Sequence, residues 1–296
     1  MPASPPALRL GRELRRLRER SGRAGRRDIQ LIADELELSP ATIYRVEKGE
    51  GLKKDKDIRA MCEVYGASPE RTAALMELLA QSKAPGWWAD YEDGIIPPDL
   101  RLYLALEQAA DTIWWFEPGF MPGLLQTEDY ARAAITEGSP GVGEQEIMAK
   151  IRFRMERRQR VLTREPAPPS LHVLIDEAVI RRLIGGPSVH VAQLESLYEA
   201  AGRPNVSLRI IPFDVGFHVG LDTGPFELLK FPPDSDGKQY ETPTVYADGG
   251  YAGTRYIESS EEVDRYSAAF EEIRRRALNP DGSRNMIKQV AEVLRA

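Results

Sequence analysis

Residues 29–49 decide the fold of the N-terminal region, and they read IQLIADELELSPATIYRVEKG. The apolar residues of the first half recur every three or four positions, which predicts a helix with one buried face. Ser39 and Pro40 then form a helix start, because serine caps a helix and proline fits its first turn. A short second helix follows, with Ile43 and Val46 turned inward. Two short helices joined by a tight turn are the geometric core of a helix-turn-helix.

Amphipathic segments on either side of this pair complete a helical region. Residues 8–20 place three leucines on one face and arginines on the others. Residues 57–65 repeat the amphipathic pattern, and a serine–proline pair starts a last helix over 68–82. We therefore predict an all-α head of five helices in residues 1–84.

The segment SPATIYRVEKG, residues 39–49, resembles the XRE, or lambda-repressor-like, helix-turn-helix. The resemblance covers about residues 8–82 and implies that the third helix is the recognition helix, which lies in the major groove of DNA. Two departures stand out. Glu37 occupies the turn position where the family usually has glycine, and Ile29 stands where the family favours a phosphate-binding glutamine. Gln30 is shifted by one place, so we expect Arg26 or Arg27 to supply that phosphate contact.

Polar side chains on the outer edge of this pair form the predicted contact surface for double-stranded DNA. An alternative is a five-helix bundle that makes no DNA contact, and for Tyr44 packing explains the residue as well as base contact does. The predicted DNA-contacting residues are Arg26, Arg27, Gln30, Ser39, Ala41, Thr42, Tyr44, Arg45 and Lys48.

Charge is distributed unevenly along the 296 residues. The net charge is −6, but residues 1–84 carry +4 and the remainder carries −10. The first 27 residues hold nine arginines against two glutamates. A basic head on an acidic body is typical of a nucleic-acid-binding module joined to a second domain. The alternative is an ordinary solvated run of charge.

Residues 85–296 are predicted to form a mixed α/β (α+β) domain, after a junction at residues 83–86. Helical periodicity marks 100–113, 144–163, 190–201, 261–278 and 283–294, and a threonine-capped helix follows residue 127. Short apolar or alternating runs predict strands at 171–175, 206–212, 226–231 and 244–247. The sequence thus predicts two domains, a helical head at 1–84 and an α/β domain at 85–296.

This second region resembles the domain of unknown function that follows an XRE-type head in WhiJ-like, antitoxin-like regulators of actinobacteria. The resemblance rests on motifs in order, among them GWW at 86–88, FEPGFMPGLLQT at 116–127 and IDEA at 175–178. It implies a partner- or ligand-binding domain, with a small partner protein encoded nearby, and it supplies no catalytic residues. Asp248 departs from the pattern, because relatives often carry glutamate directly after the tyrosine equivalent to Tyr246.

The candidate partner- or ligand-binding residues combine aromatic, charged and amide side chains, and each has a structural alternative. Tryptophans more often pack in hydrophobic cores than bind a ligand, and an aspartate–glutamate pair after a strand often starts a helix. A histidine in a loop often has no special role. Arginines on a helix often face solvent. The candidates are Trp87, Trp88, Trp115, Gln126, Arg158, Asp176, Glu177 and His218.

Motifs for nucleotide binding and nucleophilic catalysis are absent from the sequence, and its three histidines are far apart. We therefore predict no enzyme activity, no cofactor and no metal site. The single cysteine, Cys62, excludes an intramolecular disulfide and favours the reducing cytoplasm. No apolar stretch approaches the ~20 residues of a spanning helix, so we predict no membrane partner.

The sequence predicts a sequence-specific DNA-binding transcriptional regulator, with repression as the expected direction and a homodimer on a two-fold site. A protein-interaction antitoxin with autoregulatory DNA binding is the alternative. An enzyme fused to a DNA-binding head is a remote one.

Overall fold

The structure is a computed structural model that describes residues 5–51, 54–83, 87–91, 94–97, 100–233, 242–250 and 253–295. The described residues fall into two compact units, one up to Gln108 and one from Ala109 onward. The predicted junction at 83–86 lies mostly outside the described residues, since 84–86 are among those not covered. The domain boundary after residue 84 therefore stays a prediction.

The first unit is helical, as predicted, and its five N-terminal helices begin and end within a few residues of the expected positions. Its last helix, α6, reaches one residue beyond the division between the units. The helices are α1 (Pro5–Arg20), α2 (Arg26–Glu35), α3 (Pro40–Glu47), α4 (Asp55–Val64), α5 (Pro69–Ser82) and α6 (Leu100–Ala109).

One apolar core holds the N-terminal helices together. Each of α1 to α5 contributes its predicted inner face, so that the burial of these side chains gives the head its own hydrophobic core. Its fully buried members include Leu10, Leu14, Ile32, Ala33, Ile43, Ile58, Met61, Cys62 and Leu75.

Gly11 brings α1 into contact with the end of α3. A Cβ at this position would lie 2.5 Å from the backbone nitrogen of Gly49 and 2.6 Å from the carbonyl oxygen of Val46. Both are backbone atoms, which cannot move aside as a flexible side chain can. The absence of a side chain at residue 11 therefore sets how closely α1 approaches the C-terminal end of α3.

We expect Gly11→Ala to destabilise the head by about 1–3 kcal/mol, because the added methyl group forces these two helices apart. Chemical denaturation of the full chain, followed by helical circular dichroism, measures the loss. Gly138→Ala is the matched control, since Gly138 ends a helix and a Cβ there meets nothing within 4 Å. An equal effect of the two substitutions would show that the α1–α3 approach is not the reason.

The second unit combines one sheet with helices. Two short 3-10 turns, at Gly123–Leu125 and Phe213–Val215, connect its elements. Its strands are β1 (Thr112–Glu117), β2 (Ser170–Asp176), β3 (Val206–Ile211), β4 (Phe226–Lys230), β5 (Thr244–Asp248) and β6 (Thr254–Ile257). Its helices are α7 (Glu128–Gly138), α8 (Glu144–Leu162), α9 (Glu177–Arg181), α10 (Gly186–Ala200), α11 (Gly220–Thr223), α12 (Ser260–Arg276) and α13 (Pro280–Arg295).

The sheet has six strands in the order β3-β2-β1-β4-β5-β6. Strands β1, β2 and β3 are parallel, whereas β4, β5 and β6 pair antiparallel. The carboxyl ends of β1, β2 and β3 therefore meet at one edge of the sheet, the position at which open α/β sheets bind ligands. Asp176 is the last residue of β2, and the segments that follow β1 and β3 carry Phe120 and His218.

Helices cover the sheet and complete the core of this unit. Phe116, Phe226 and Val245 of the sheet pack with Phe270 and Ile273 of α12. Helices α10 and α13 pack against each other, and α13 also contacts β3. A smaller cluster joins α7 to α8. Among the described helices, none combines the length and apolar character that a bilayer requires of a spanning segment.

Two strands were not predicted from the sequence. The helix expected over 100–113 ends at Ala109, and β1 begins at Thr112. A short apolar run such as TIWWFE has no period that separates a buried strand from a buried helix. Strand β6 has only four residues, and it pairs with β5 through tertiary contacts that a local pattern does not reveal.

Candidate nucleic-acid interface

The turn between α2 and α3 has the geometry that a helix-turn-helix requires. Glu37 adopts a left-handed backbone with φ of 53°, at the position where a glycine was expected from the resemblance. A residue other than glycine costs on the order of 1 kcal/mol there. Next to it, the Leu38 amide donates to the Ala33 carbonyl at 2.8 Å and closes the end of α2.

Ser39 starts α3 as predicted. Its hydroxyl oxygen accepts from the Thr42 amide at 3.1 Å and lies 2.8 Å from the Thr42 hydroxyl oxygen. The bond from the Thr42 amide gives a hydrogen-bond acceptor to a backbone N–H group of the first turn, where the regular helical pattern supplies none, and it fixes the N-terminal end of the helix. Ile43 and Val46 are buried, so the opposite edge of α3 faces solvent.

The predicted DNA-contacting residues lie on this exposed edge and at the start of α2. Tyr44 is 41% exposed, so the structure does not pack it into the core. Gln30 is exposed and its amide donates to Asp34 at 2.8 Å. Thr42 is half-buried, and the remaining members are exposed: Arg26, Arg27, Ser39, Ala41, Arg45 and Lys48. Their DNA contacts stay predictions.

The arginines of the head divide into two groups. Several arginines on α1 and just after it form ion pairs with glutamates of the head: Arg15–Glu19, Arg16–Glu13, Arg18–Glu47 and Arg23–Glu35. By contrast, Arg26, Arg27, Arg45 and Lys48 have no ion-pair partner among the residues that the structure describes. Part of the positive charge that remains available to a phosphate backbone thus lies on α2 and α3, at the positions that the helix-turn-helix would present to DNA.

A buried ion pair that the sequence analysis missed holds α3 to α1. Arg18 donates to both carboxylate oxygens of Glu47, at 2.7 and 2.8 Å, and the two side chains are 3% and 4% exposed. Arg18 also donates to the Arg23 carbonyl at 2.7 Å, and the Tyr65 hydroxyl donates to Glu47 at 3.4 Å. The hydrogen bonds to Glu47 raise the pKa of Arg18. A buried Glu13–Arg71 pair joins α1 to α5 in the same way.

The candidates in residues 87–218 are distributed over both units, and within the second unit Asp176, Glu177 and His218 lie close together at the end of β2. Trp87 and Trp88 belong to the first unit, with their rings in edge-to-face contact at 5.5 Å. Trp88 and Trp115 are buried, which agrees with the packing alternative. Among the described residues, no group of His, Cys, Asp and Glu is arranged to hold a metal ion.

Both acidic candidates, Asp176 and Glu177, have clear structural roles. Asp176 caps α9, because its carboxylate accepts from the Ala178 amide at 2.8 Å. Glu177 is buried and accepts from the Phe213 amide at 2.8 Å, which ties the loop after β3 to α9. His218 is buried, and its Nε2 lies 3.8 Å from Asp176. Partner binding by these residues stays a prediction.

Glu117, at the end of β1, is a buried carboxyl group that the sequence analysis did not select. It is 7% exposed, and burial raises its pKa to about 7, although the Gly119 amide donates to it at 3.1 Å. Asp248 raises the pKa further. Since the folded protein holds this proton more tightly than the unfolded chain, the contribution of Glu117 to stability is fully present below the ordinary pKa of 4.5 and is lost as pH rises through 7.

Glu117→Gln should therefore make the protein about 2–3 kcal/mol more stable than the parent at pH 8 and leave it nearly unchanged at pH 4. Denaturation curves at the two pH values measure this difference. Glu261→Gln removes one carboxylate from an exposed position of α12 and serves as the control. A stability gain of the same size at both pH values would contradict a raised pKa as its source.

Comparisons with protein families match both parts of the chain. A helix-turn-helix domain model matches residues 9–75, which indicates a DNA-binding regulator. The model of the domain of unknown function DUF5753 matches residues 100–289, which is more than half of the chain. No curated protein and no solved structure was found to match. The predicted order of a helix-turn-helix and a domain of unknown function is confirmed, and the WhiJ-like subtype stays a prediction. The chain belongs to the DUF5753 family and carries a helix-turn-helix domain ahead of the family domain.

Proposed function

We propose that this protein is a sequence-specific DNA-binding transcriptional regulator of the cytoplasm, which represses its targets as a homodimer on two-fold sites. One observation carries the proposal: α3 buries Ile43 and Val46 and presents Arg45 and Lys48 to solvent without ion-pair partners among the described residues. Cations held in this way can neutralise phosphates and reach base edges. Arg26 and Arg27 at the start of α2, which also have no ion-pair partner in the described ranges, add to the same positive surface.

Mapping of genomic DNA bound by the full-length protein tests this function. We expect a small set of sites with two-fold symmetry and half-sites separated by about 34–36 Å, one turn of DNA. Gel-shift titration of the recovered fragments and transcription of a linked reporter then test specificity and repression. The proposal fails if recovered fragments bind no better than shuffled fragments of equal length. Reporter transcription that rises with the protein would overturn repression alone.

We further propose that the C-terminal domain binds a small partner protein, in the manner of an antitoxin. The segment between β3 and β4 supports this proposal, because Phe213, Phe217 and Leu221 are 57%, 66% and 54% exposed. Several large apolar side chains exposed within one short segment are a feature of interaction surfaces. Asp214 and Asp222 are exposed beside them, so a partner surface that combines apolar and basic residues fits best.

Phe213→Ser together with Phe217→Ser tests the partner proposal. The readout is binding of the purified small protein encoded next to this gene, measured by calorimetry, and the change that this protein causes in a gel shift. We expect both to be lost in the double variant. Val293→Ser, at a strongly exposed apolar position of α13, is the control. Full binding by the double variant would rule out this surface.

A further inference from the structure

Arg154 on α8 is a partly buried cation of the second unit. Its Nη1 donates to the Gln126 side-chain oxygen at 2.7 Å, and Gln126 is fully buried. The amide nitrogen of Gln126 donates to the Met121 carbonyl at 2.7 Å, which fixes the oxygen toward the guanidinium group. Within the described ranges, no carboxylate forms an ion pair with Arg154. On the same helix, Lys150 pairs with Glu146 and Arg160 pairs with Glu156.

Further arginines surround the same place. The 3-10 turn Gly123–Leu125 packs on α8, and a Cβ at Gly123 would lie 3.8 Å from Nη1 of Arg157. Burial raises the pKa of the Tyr130 hydroxyl overall; Arg182 and Arg154 lower it and Glu117 raises it, so all three side chains lie near that group. Arg154, Arg157 and Arg182 thus place three cations around Tyr130 and the turn, against the carboxyl group of Glu117, and we call these three arginines the arginine cluster.

The electrostatics of Arg154 are unfavourable in the absence of an anion. Burial, followed by the proximity of Arg157, lowers the pKa of Arg154 to about 10. A guanidinium group has five N–H donors, and Gln126 accepts from one of them. Since the side chain keeps some exposure to solvent, a small solute can reach the free donors. The planar fork of a guanidinium group matches the oxygens of a phosphate or a carboxylate.

We propose that the arginine cluster is a binding site for a small oxyanion, a phosphate- or carboxylate-bearing ligand, with Arg154 as its main contact. Gln126 is the positioning residue that holds Arg154 in the orientation for binding. The site therefore gives the C-terminal domain a small-molecule ligand in addition to a partner protein. An effect of this ligand on DNA binding rests on the proposed function, whereas anion binding itself does not.

Isothermal titration calorimetry of the full chain with pyrophosphate, inorganic phosphate and citrate, at constant ionic strength, tests the site. We expect saturable binding of at least one oxyanion and a loss of about tenfold or more in affinity in Arg154→Gln. Arg160→Gln is the control on the same helix, since Arg160 is exposed and paired with Glu156. A preference for pyrophosphate assigns a phosphate ligand, and a preference for citrate assigns a carboxylate ligand.

Thermal melting separates a ligand site from a structural arginine. In the absence of anions, we expect Arg154→Gln to melt close to the parent, because removal of a partly buried charge is offset by loss of the hydrogen bond to the buried Gln126 oxygen. Pyrophosphate or citrate should then stabilise the parent and leave the variant unchanged. If Arg154→Gln does not fold, Arg154→Lys, which keeps the charge without the fork, should fold and bind the oxyanion more weakly.

Absence of saturable binding at millimolar oxyanion overturns the proposal, as does equal binding by parent and Arg154→Gln. Loss of partner-protein binding in Arg154→Gln, with no oxyanion bound by the parent, also overturns it and assigns the arginines to the partner instead. Calorimetry measures anion binding without DNA, and gel shifts with and without the oxyanion measure DNA binding. A protein that binds the oxyanion and no DNA would therefore contradict the proposed function and leave the anion site standing.

Discussion

Glu47→Ala should destabilise the helical head by about 3–5 kcal/mol, the largest stability effect that we expect in this protein. The substitution leaves the Arg18 guanidinium group buried without its carboxylate partner. Arg18 is 3% exposed, and it donates two hydrogen bonds to the Glu47 carboxylate that alanine cannot accept. The affinity for DNA should fall as well, since Glu47 ends α3 and ties it to α1. Chemical denaturation of the full chain measures the first effect, and a gel shift measures the second.

Two controls distinguish the buried pair from a loss of charge in general. Glu19→Ala removes an exposed pair with Arg15 and should cost less than about 1 kcal/mol. Arg18→Met combined with Glu47→Leu replaces both charges with apolar groups, and it should recover most of the stability and the DNA binding. If Glu47→Ala costs no more than Glu19→Ala, the buried pair does not hold α3 in place.

Arg45→Ala together with Lys48→Ala should weaken DNA binding by roughly 10²–10³-fold at moderate salt, because a homodimer loses two cationic contacts on each half-site. The slope of log affinity against log salt should become shallower by about 2 for each bound copy. Stability should change by less than about 0.5 kcal/mol, since both side chains are exposed and unpaired among the described residues. Gel-shift titrations at several salt concentrations measure affinity and slope together.

Arg274→Ala together with Arg275→Ala is the matched control for this variant. It removes the same charge from exposed positions of α12, in the second unit. We expect the affinity and the salt slope of the parent. An Arg45/Lys48 variant that binds DNA as this control does would place the DNA-binding surface elsewhere.

Local patterns predicted the helical head well because each of its helices carries its own signals. Ser39 and Pro40 mark the start of α3, and the apolar spacing of α1, α2 and α4 matches the buried faces. The turn at Glu37 was also expected, since the resemblance placed a left-handed residue there. The exposed positions of Arg45 and Lys48 follow directly from the burial of Ile43 and Val46 on the same short helix.

The remaining features depend on residues that are distant in sequence. Arg18 and Glu47 are separated by 29 positions, and nothing in the pattern around either one indicates the other. The arginines of α1 suggested a DNA-binding surface, yet their ion pairs within the head leave less of that charge for DNA. In the sequence Glu117 is one residue of the segment FEPGFMPGLLQT, and its raised pKa comes from its burial at the end of β1 and from Asp248, which is 131 positions away in the chain.

By itself, the sequence determined the helix-turn-helix and the division into a helical part and an α/β part, because capping, turn chemistry and helical period act over a few residues. Only the tertiary structure decided which arginines of the head form ion pairs within it, that the Glu117 carboxyl group is buried, and that Arg154 has no carboxylate partner in the part of the chain that the structure describes. Those properties depend on charge and solvent in three dimensions, since a side chain's partners and its hydration are set by the packing of distant segments.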